Sequence, residues 1–154
     1  AKEETIREAE GIMMKLNKIS SELMLRRKVN ACTDITGFGL VGHLHEMAVA
    51  SGVDAGIDFN SIPFISEVSA LALAGAIPGG TKANYNFAVG WTDFGQLTMI
   101  ERYLVCDAQS SGGLLVSLPG EEAETYIKSL MDNGIGGAFI GTILGKGTGC
   151  IKIS

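Results

Sequence analysis

Glycine is distributed very unevenly along this chain. The 154 residues include 21 glycines, and 20 of them lie between Gly37 and Gly149. Glycine in an average protein is roughly 7% of residues, so this chain holds about twice that share. The glycines follow no G-X-Y period, which excludes collagen. Because 46% of the residues are apolar, disorder is excluded as well, and we expect one domain with its own core.

The net charge changes sign after residue 28, close to where the glycine-rich part of the chain begins. Residues 1–28 hold seven Lys/Arg and five Asp/Glu, a net charge of +2, whereas residues 29–154 hold five and twelve, a net charge of −7. Such an acidic body argues against a nucleic-acid surface, which needs clustered basic residues. A phosphate ligand would have to bind to backbone N–H groups or a metal ion.

The chain carries no sign of a membrane or secreted protein. No apolar run reaches about 18 residues, the length of a membrane-spanning helix. The N-terminal stretch is charged and lacks the apolar core of a signal peptide. Three cysteines at Cys32, Cys106 and Cys150 form no C-x-x-C pair. We therefore expect reduced thiols in a cytoplasmic protein, with neither disulfides nor a zinc site.

Apolar spacing predicts the elements. One long amphipathic helix is expected over residues 3–28, and further helices over 40–51, 65–74 and 119–133. Strands are expected over 29–34, 55–59, 114–118, 138–144 and 150–153, the last two flanking a Gly145-Lys146-Gly147 turn. Residues 75–105 fit no template and are interpreted as a structured or mobile functional loop. This order predicts a layered α/β or α+β domain, with a mixed sheet packed against helices.

The strongest motif is the stretch from Asp34 to His43, DITGFGLVGH. It places a carboxylate at a strand end, then a glycine turn and a helix N-terminus, which is an arrangement suited to phosphate and Mg²⁺. An equally supported alternative is a plain strand-to-helix turn, with Asp34 or Thr36 as the helix cap. His43 and His45 point about 200° apart on a helix, so they cannot share a metal ion. We expect a packed His43 and an exposed His45.

Two further motifs are rich in glycine and polar residues. The PGGTKAN stretch at residues 78–84 offers N–H groups, a hydroxyl and a lysine, although a bare turn is equally possible. The CDAQSSGGLL stretch at residues 106–115 could cradle an anion or pack against the first glycine turn. Cys106 has no histidine near it in sequence, so a buried structural thiol is favoured over a nucleophile.

Together and in this order, the three motifs closely resemble the C-terminal domain of the selenophosphate synthetase (selenide, water dikinase) family. The resemblance covers about residues 1–145 and departs only mildly, with Ala108 and Ser110 where the family has Pro and Thr. It implies the C-terminal fold of the superfamily that includes aminoimidazole ribonucleotide synthetase. It also implies an N-terminal ATP-binding domain outside residues 1–154, which are expected to form a single C-terminal domain.

The resemblance further implies a reaction and a set of ligands. The family converts selenide, ATP and water into selenophosphate, AMP and phosphate. Its Mg²⁺ ions are held mostly by aspartates of the N-terminal domain, and Asp34 would join them. Residues near phosphate or nucleotide would be Thr36, Gly37, Gly39, Gly79, Gly80, Thr81, Asp107, Ser111, Gly112 and Gly113. The family's reactive Cys or selenocysteine and its lysine lie in the N-terminal domain, so we expect no catalytic residue in this chain.

The implied partners are the protein's own N-terminal ATP-binding domain, a second subunit in a homodimer, and the small molecules ATP and selenide. Neither nucleic acid nor membrane is expected as a partner. The 154 residues alone are expected to be inactive, because phosphoryl transfer needs charge neutralised from several sides. Two alternatives stay open: another synthetase or kinase of the superfamily, and a non-catalytic packing or lid module.

Overall fold

The computed structural model describes residues 1–154. Its helices are α1 (Glu3–Met13), α2 (Lys18–Met24), α3 (Gly39–Ser51), α4 (Val68–Leu73), α5 (Gly79–Ala88), α6 (Met99–Val105) and α7 (Gly120–Asp132). Its strands are β1 (Ala31–Asp34), β2 (Val53–Ile57), β3 (Thr92–Asp93), β4 (Leu114–Ser117), β5 (Gly141–Lys146) and β6 (Ile151–Ile153). None of the helices combines the length and the apolar character needed to cross a membrane.

The strands form two sheets. Strands β1 and β4 pair antiparallel as a two-stranded sheet. The other sheet has the order β3-β6-β2-β5, in which β6 runs parallel to both β2 and β3 while β5 is antiparallel to β2. The predicted α/β class with a mixed sheet is therefore confirmed.

Two apolar clusters hold these layers together. The larger cluster packs α3 against the four-stranded sheet and contains Val41, Ile57, Val105, Cys106, Ile151 and Ile153 among its eleven buried residues. The smaller cluster joins α2 to α7 through Leu23, Met24, Tyr126 and Leu130. The predicted helices over 40–51 and 119–133 agree with α3 and α7 to within one or two residues.

The N-terminal segment is two helices, and the prediction of one long helix is wrong. Helix α1 ends at Met13, and α2 begins at Lys18. The two helices attach to different parts of the domain. Helix α1 is tied to the loop before α4, where Thr5 donates a hydrogen bond to Glu67 at 2.7 Å, whereas α2 packs on α7. The apolar face predicted for the long helix divides in the same way: Ile6, Met13 and Leu16 face solvent, whereas Leu23 and Met24 of α2 are buried.

Residues 75–105 are not a loop but two helices and a short strand. Pro78 precedes the first turn of α5, and its fixed φ suits that place. Thr98 begins α6 with a capping box that it forms with Glu101. Because these signals lie beside many glycines and aromatics, the periodicity of the two short helices is hidden in the sequence.

The last two strands are present as predicted, but they do not pair with each other. Strand β2 lies between β5 and β6 and pairs with both. The connection after β5 is held by Asp54, whose Oδ1 accepts the N–H groups of Thr148, Gly149 and Cys150 at 3.0, 3.0 and 2.8 Å. This carboxylate of β2 therefore anchors the chain as it crosses to the other side of the strand.

Candidate functional site

Asp34 is the last residue of β1, where it pairs with Leu114 of β4. Asp34 is exposed. Its carboxylate takes part in none of the side-chain hydrogen bonds or ion pairs within the chain. A carboxylate without an internal partner, at a strand end, is free to bind a cation.

The glycine turn after Asp34 leads directly into α3. The N–H of Gly39 bonds to the carbonyl of Thr36 at 3.1 Å, and Gly39 adopts a φ of 69°. The cap residue of α3 is Phe38, and no side chain caps this helix. The alternative with Asp34 or Thr36 as helix cap is therefore wrong. The N–H groups of the first turn of α3 have no side-chain acceptor, which suits an anion.

The loop of residues 106–113 packs against this turn through backbone groups. The N–H of Gln109 bonds to the carbonyl of Thr36 at 3.0 Å, and the N–H of Gly112 to that of Ile35 at 3.1 Å. A Cβ on Gly39 would lie 2.7 Å from the Asp107 carbonyl oxygen, and one on Gly112 would lie 2.3 Å from that of Ile35. Glycine is required at both positions, and the loop packs on the first glycine turn, which was one of the two roles considered for it.

Helix α5 joins the same assembly by two side chains. Thr81 is 1% exposed and donates its hydroxyl to the carboxylate of Asp107. The amide of Asn84 donates to the carbonyl of Gly37 at 2.8 Å and to that of Cys106 at 3.0 Å. The three sequence motifs therefore meet in space. We call residues 35–39, 81–84 and 106–113 the motif junction.

The motif junction contains most of the residues that were expected near phosphate or nucleotide. The backbone of Thr36, Gly37, Gly39, Gly112 and Gly113 forms its contacts, and Thr81 and Asp107 bond to each other. Gly79 and Gly80 lie one turn away on α5, with open space around them. Ser111 is half-buried and its hydroxyl forms no hydrogen bond within the chain.

Asn84 is the contributor that the sequence prediction missed. It lies three residues after Thr81, so both side chains face the same side of α5. That spacing could have identified it, had the segment been predicted as helical. Asn17 adds a further contact from outside the three motifs, because its amide donates to the carbonyl of Gly112 at 3.2 Å.

Of the two predictions made for the histidines, the one for His43 is confirmed and the one for His45 is wrong. His43 is packed, with 8% of its surface exposed, which confirms that prediction. His45 was expected to be exposed, but it is half-buried. Its ring stacks on Trp91 at 3.7 Å between centroids, and its Nδ1 lies 2.8 Å from the carbonyl oxygen of Gly149. Trp91, which lies outside α3, supplies this cover, and no pattern within α3 reveals it.

The cysteines are all free thiols. Burial raises the pKa of Cys106 to about 12, so it is protonated near neutral pH and cannot act as a thiolate nucleophile. Partial burial, together with the negative charge of Asp34, raises the pKa of Cys32. The prediction that Cys106 is structural agrees with its place in the larger apolar cluster.

A metal ion could receive only part of its ligands here. The chain brings no three His, Cys, Asp or Glu side chains together as a metal site. Asp34 is the free carboxylate beside the junction, since that of Asp107 accepts a bond from Thr81. One free carboxylate fits Mg²⁺, which takes one or two carboxylates and completes its shell with phosphate oxygens and water.

Three relatives are similar to this chain over most of its length, and each bears the name "Selenide, water dikinase". The protein of Myxococcus xanthus is 40% identical over 146 residues, covering 93% of this chain and 42% of its own. That of Caldanaerobacter subterraneus is 44% identical over 137 residues, covering 89% and 40%. That of Aliarcobacter butzleri is 38% identical over 136 residues, covering 88% and 39%.

These relatives bear the family name that the three motifs suggested, and the chain spans about two fifths of their length. A family model described as "AIR synthase related protein, C-terminal domain" matches residues 2–153. That match extends from α1 through β6 and includes the whole motif junction. The chain therefore belongs to the family of AIR synthase related protein C-terminal domains.

Proposed function

We propose that this chain is the C-terminal domain of a selenophosphate synthetase, which forms selenophosphate, AMP and phosphate from selenide, ATP and water. The observation that carries the proposal is the motif junction beside the free carboxylate of Asp34. Three separate motifs build this junction through backbone and buried contacts, and the similar proteins bear the name of this enzyme.

Asp34 is proposed as the one Mg²⁺ ligand that this chain supplies. Its carboxylate is exposed and unpaired, and the net charge of −7 after residue 28 leaves few lysines to meet phosphate. Bound Mg²⁺ would neutralise phosphate charge during phosphoryl transfer. The remaining ligands would come from ATP itself and from the proposed N-terminal domain.

The motif junction is proposed to enclose phosphate with backbone N–H groups. Gly37 is exposed, and a Cβ there would meet no atom within 4 Å, so an anion could approach the backbone closely. The uncapped N-terminus of α3 follows two residues later. Asp107 is occupied by Thr81, so its role in this proposal is to hold α5 against the loop. Thr36, Gly112 and Gly113 shape the turn that faces the ligand.

The proposed N-terminal ATP-binding domain would pack against α1 and the segment that follows it. Apolar side chains there are exposed to solvent, namely Ile6, Ile12, Met13, Met14 and Leu16. Exposed apolar groups in such a run favour contact with another protein surface. A homodimer and a cytoplasmic location complete the proposal, and both stay predictions.

Replacing Asp34 by Asn in the full-length protein tests the proposal. We expect selenide-dependent ATP consumption to fall by roughly 100-fold, the scale of losing one group that neutralises charge in a transition state. The matched control is Asp132→Asn, because Asp132 is likewise exposed but ends α7, outside the motif junction. Thermal unfolding of both variants should stay at the wild-type temperature.

Three outcomes are distinguishable. A full rate in Asp34→Asn would contradict the metal role and favour a packing or lid module. ATP consumption without any dependence on selenide would favour another synthetase or kinase of the superfamily. A loss in Asp34→Asn alone, with selenide dependence in the wild type, supports the proposal.

A further inference from the structure

A chain of three polar side chains leads from helix α3 to the motif junction. The Nε2 atom of His43 lies 3.0 Å from the hydroxyl of Thr36, and its Nδ1 atom lies 3.2 Å from a carboxylate oxygen of Glu46. His43 is 8% exposed, whereas the Glu46 side chain is 57% exposed. The ring therefore connects a solvated carboxylate to a hydroxyl two residues after Asp34.

The partners decide which ring nitrogen carries the proton. The Glu46 carboxylate lies 3.2 Å from the Nδ1 atom of His43, and its negative charge favours the tautomer with the proton on that nitrogen. In the neutral ring the Nε2 atom is then an acceptor, and the Thr36 hydroxyl donates to it. Since Thr36 forms no other side-chain hydrogen bond, its oxygen keeps lone pairs that can accept a bond from outside.

The surroundings hold the His43 ring in this place. His43 and Glu46 are three residues apart on α3, the spacing at which helical side chains meet. The Phe38 ring packs against His43 with centroids 5.6 Å apart. Phe38 itself lies over Gly42, where a Cβ would come within 2.7 Å of the Phe38 Cβ. The ring is therefore fixed by its neighbours before any ligand binds.

We propose that His43 and Glu46 are positioning residues for the reaction proposed above. They act through Thr36, by fixing its hydroxyl as a hydrogen-bond acceptor two residues after Asp34. An acceptor at that place would bind a water molecule of the metal shell, because such a water donates hydrogen bonds. This inference rests on the proposed function, but the contacts of His43 with Thr36 and Glu46 can be tested separately from it.

A double-mutant cycle in the full-length protein tests the role. We expect Thr36→Val and His43→Asn each to lower kcat for selenide-dependent ATP consumption about 10-fold, the scale at which residues behind metal ligands act. The KM for ATP should stay within about twofold, because the role proposed for these residues is to orient a group and not to bind the nucleotide. The double variant should be no slower than Thr36→Val, since His43 acts only through Thr36.

A conservative substitution separates positioning from simple packing. His43→Gln places an amide near the position of Nε2, within reach of Thr36, whereas the shorter His43→Asn side chain does not extend so far. We expect His43→Gln to retain most of the wild-type kcat, whereas His43→Asn should show the full loss. Additive losses in the double variant, or equal losses for Gln and Asn with a lowered unfolding temperature, would overturn the proposal.

Nitrogen NMR of the histidine rings provides a readout that needs no activity. We expect a proton on Nδ1 of His43 and none on Nε2, with a change in these signals on Glu46→Gln. His45 is the internal control, because its Nδ1 faces the Gly149 carbonyl and should not respond. A proton on Nε2 of neutral His43 would overturn the positioning proposal. A wild-type protein with this tautomer but without selenide-dependent activity would overturn the proposed function, and with it the reaction assigned to these residues.

Discussion

The motif junction and helix α1 are held to the domain in opposite ways. In the junction, glycines bring backbones so close that a Cβ on Gly39 would lie 2.7 Å from a carbonyl oxygen, and the fully buried Thr81 joins helix to loop. Helix α1 is attached by polar side chains alone, chiefly the exposed Lys2 and the buried Thr5 to Glu67, and Glu8 to Ser66.

The difference concerns what each region can tolerate. Close backbone contacts have no room to adjust, so small additions in the junction should act on the whole domain. Polar attachments at the surface contribute little, and their loss should act locally. A precise ligand site is expected in the first kind of region. An interface with another domain is expected where exposed apolar side chains accompany the second kind.

The largest effect is expected from Gly39→Ala. The new Cβ would meet the backbone of Cys106 and Asp107 at 2.7 to 2.8 Å, and residue 39 has a φ of 69°. The left-handed conformation costs about 1 kcal/mol for alanine, and overpacking typically adds 1–3 kcal/mol. We expect the free energy of unfolding to fall by about 3 kcal/mol, measured by denaturant titration.

Gly37→Ala is the matched control within the same turn. A Cβ there meets no atom within 4 Å, and the φ of Gly37 is not positive. Its free energy of unfolding should stay within about 0.5 kcal/mol of the wild type. Equal stability losses in the two variants would break the distinction between the motif junction and an ordinary turn.

A smaller loss is expected from Asn84→Ala. The change removes both amide hydrogen bonds, to Gly37 and Cys106, and leaves the carbonyl of the buried Cys106 without that donor. We expect a loss of about 2 kcal/mol in the free energy of unfolding. Asn86→Ala on the same helix is exposed and gains the same helix propensity, so the difference between the two variants isolates the hydrogen bonds. A difference near zero would mean that α5 is held to the junction by packing alone.

The sequence predicted those elements whose patterns are complete within one segment. Helices α3 and α7 combine an apolar face with a glycine just beyond their last turn, and both were predicted closely. The apolar run at residues 114–118 likewise agrees with β4. Local chemistry is enough in these cases because periodicity and end signals reinforce each other.

Contacts between distant segments were beyond such patterns. The stacking of His45 on Trp91 and the reach of Asn84 to Gly37 join residues 46 and 47 positions apart. The position of β2 between β5 and β6 depends on the pairing of all four strands in the sheet, so no single segment encodes it. For residues 3–28 the periodicity was real, but an apolar stripe does not reveal whether anything covers it. Within the site, the motifs were found, while the hydrogen bonds that join them were not.

The smallest effect is expected from Glu67→Gln, which tests the attachment of α1. Hydrogen bonds from Lys2 and then Thr5 lower the pKa of Glu67 to about 2. Because the folded-state pKa is lowered from 4.5, the ionised carboxylate stabilises α1 fully above that pH, and this stabilisation disappears as the pH falls toward 2.

At pH 7, hydrogen exchange of α1, corrected for intrinsic rates, should be faster in Glu67→Gln by no more than a few-fold. The difference should fade in acid and in high salt, while the rest of the domain and the control Glu4→Gln stay unchanged. If exchange in the motif junction accelerates as well, the two regions are energetically coupled, and α1 is part of the site's framework rather than a separately attached surface.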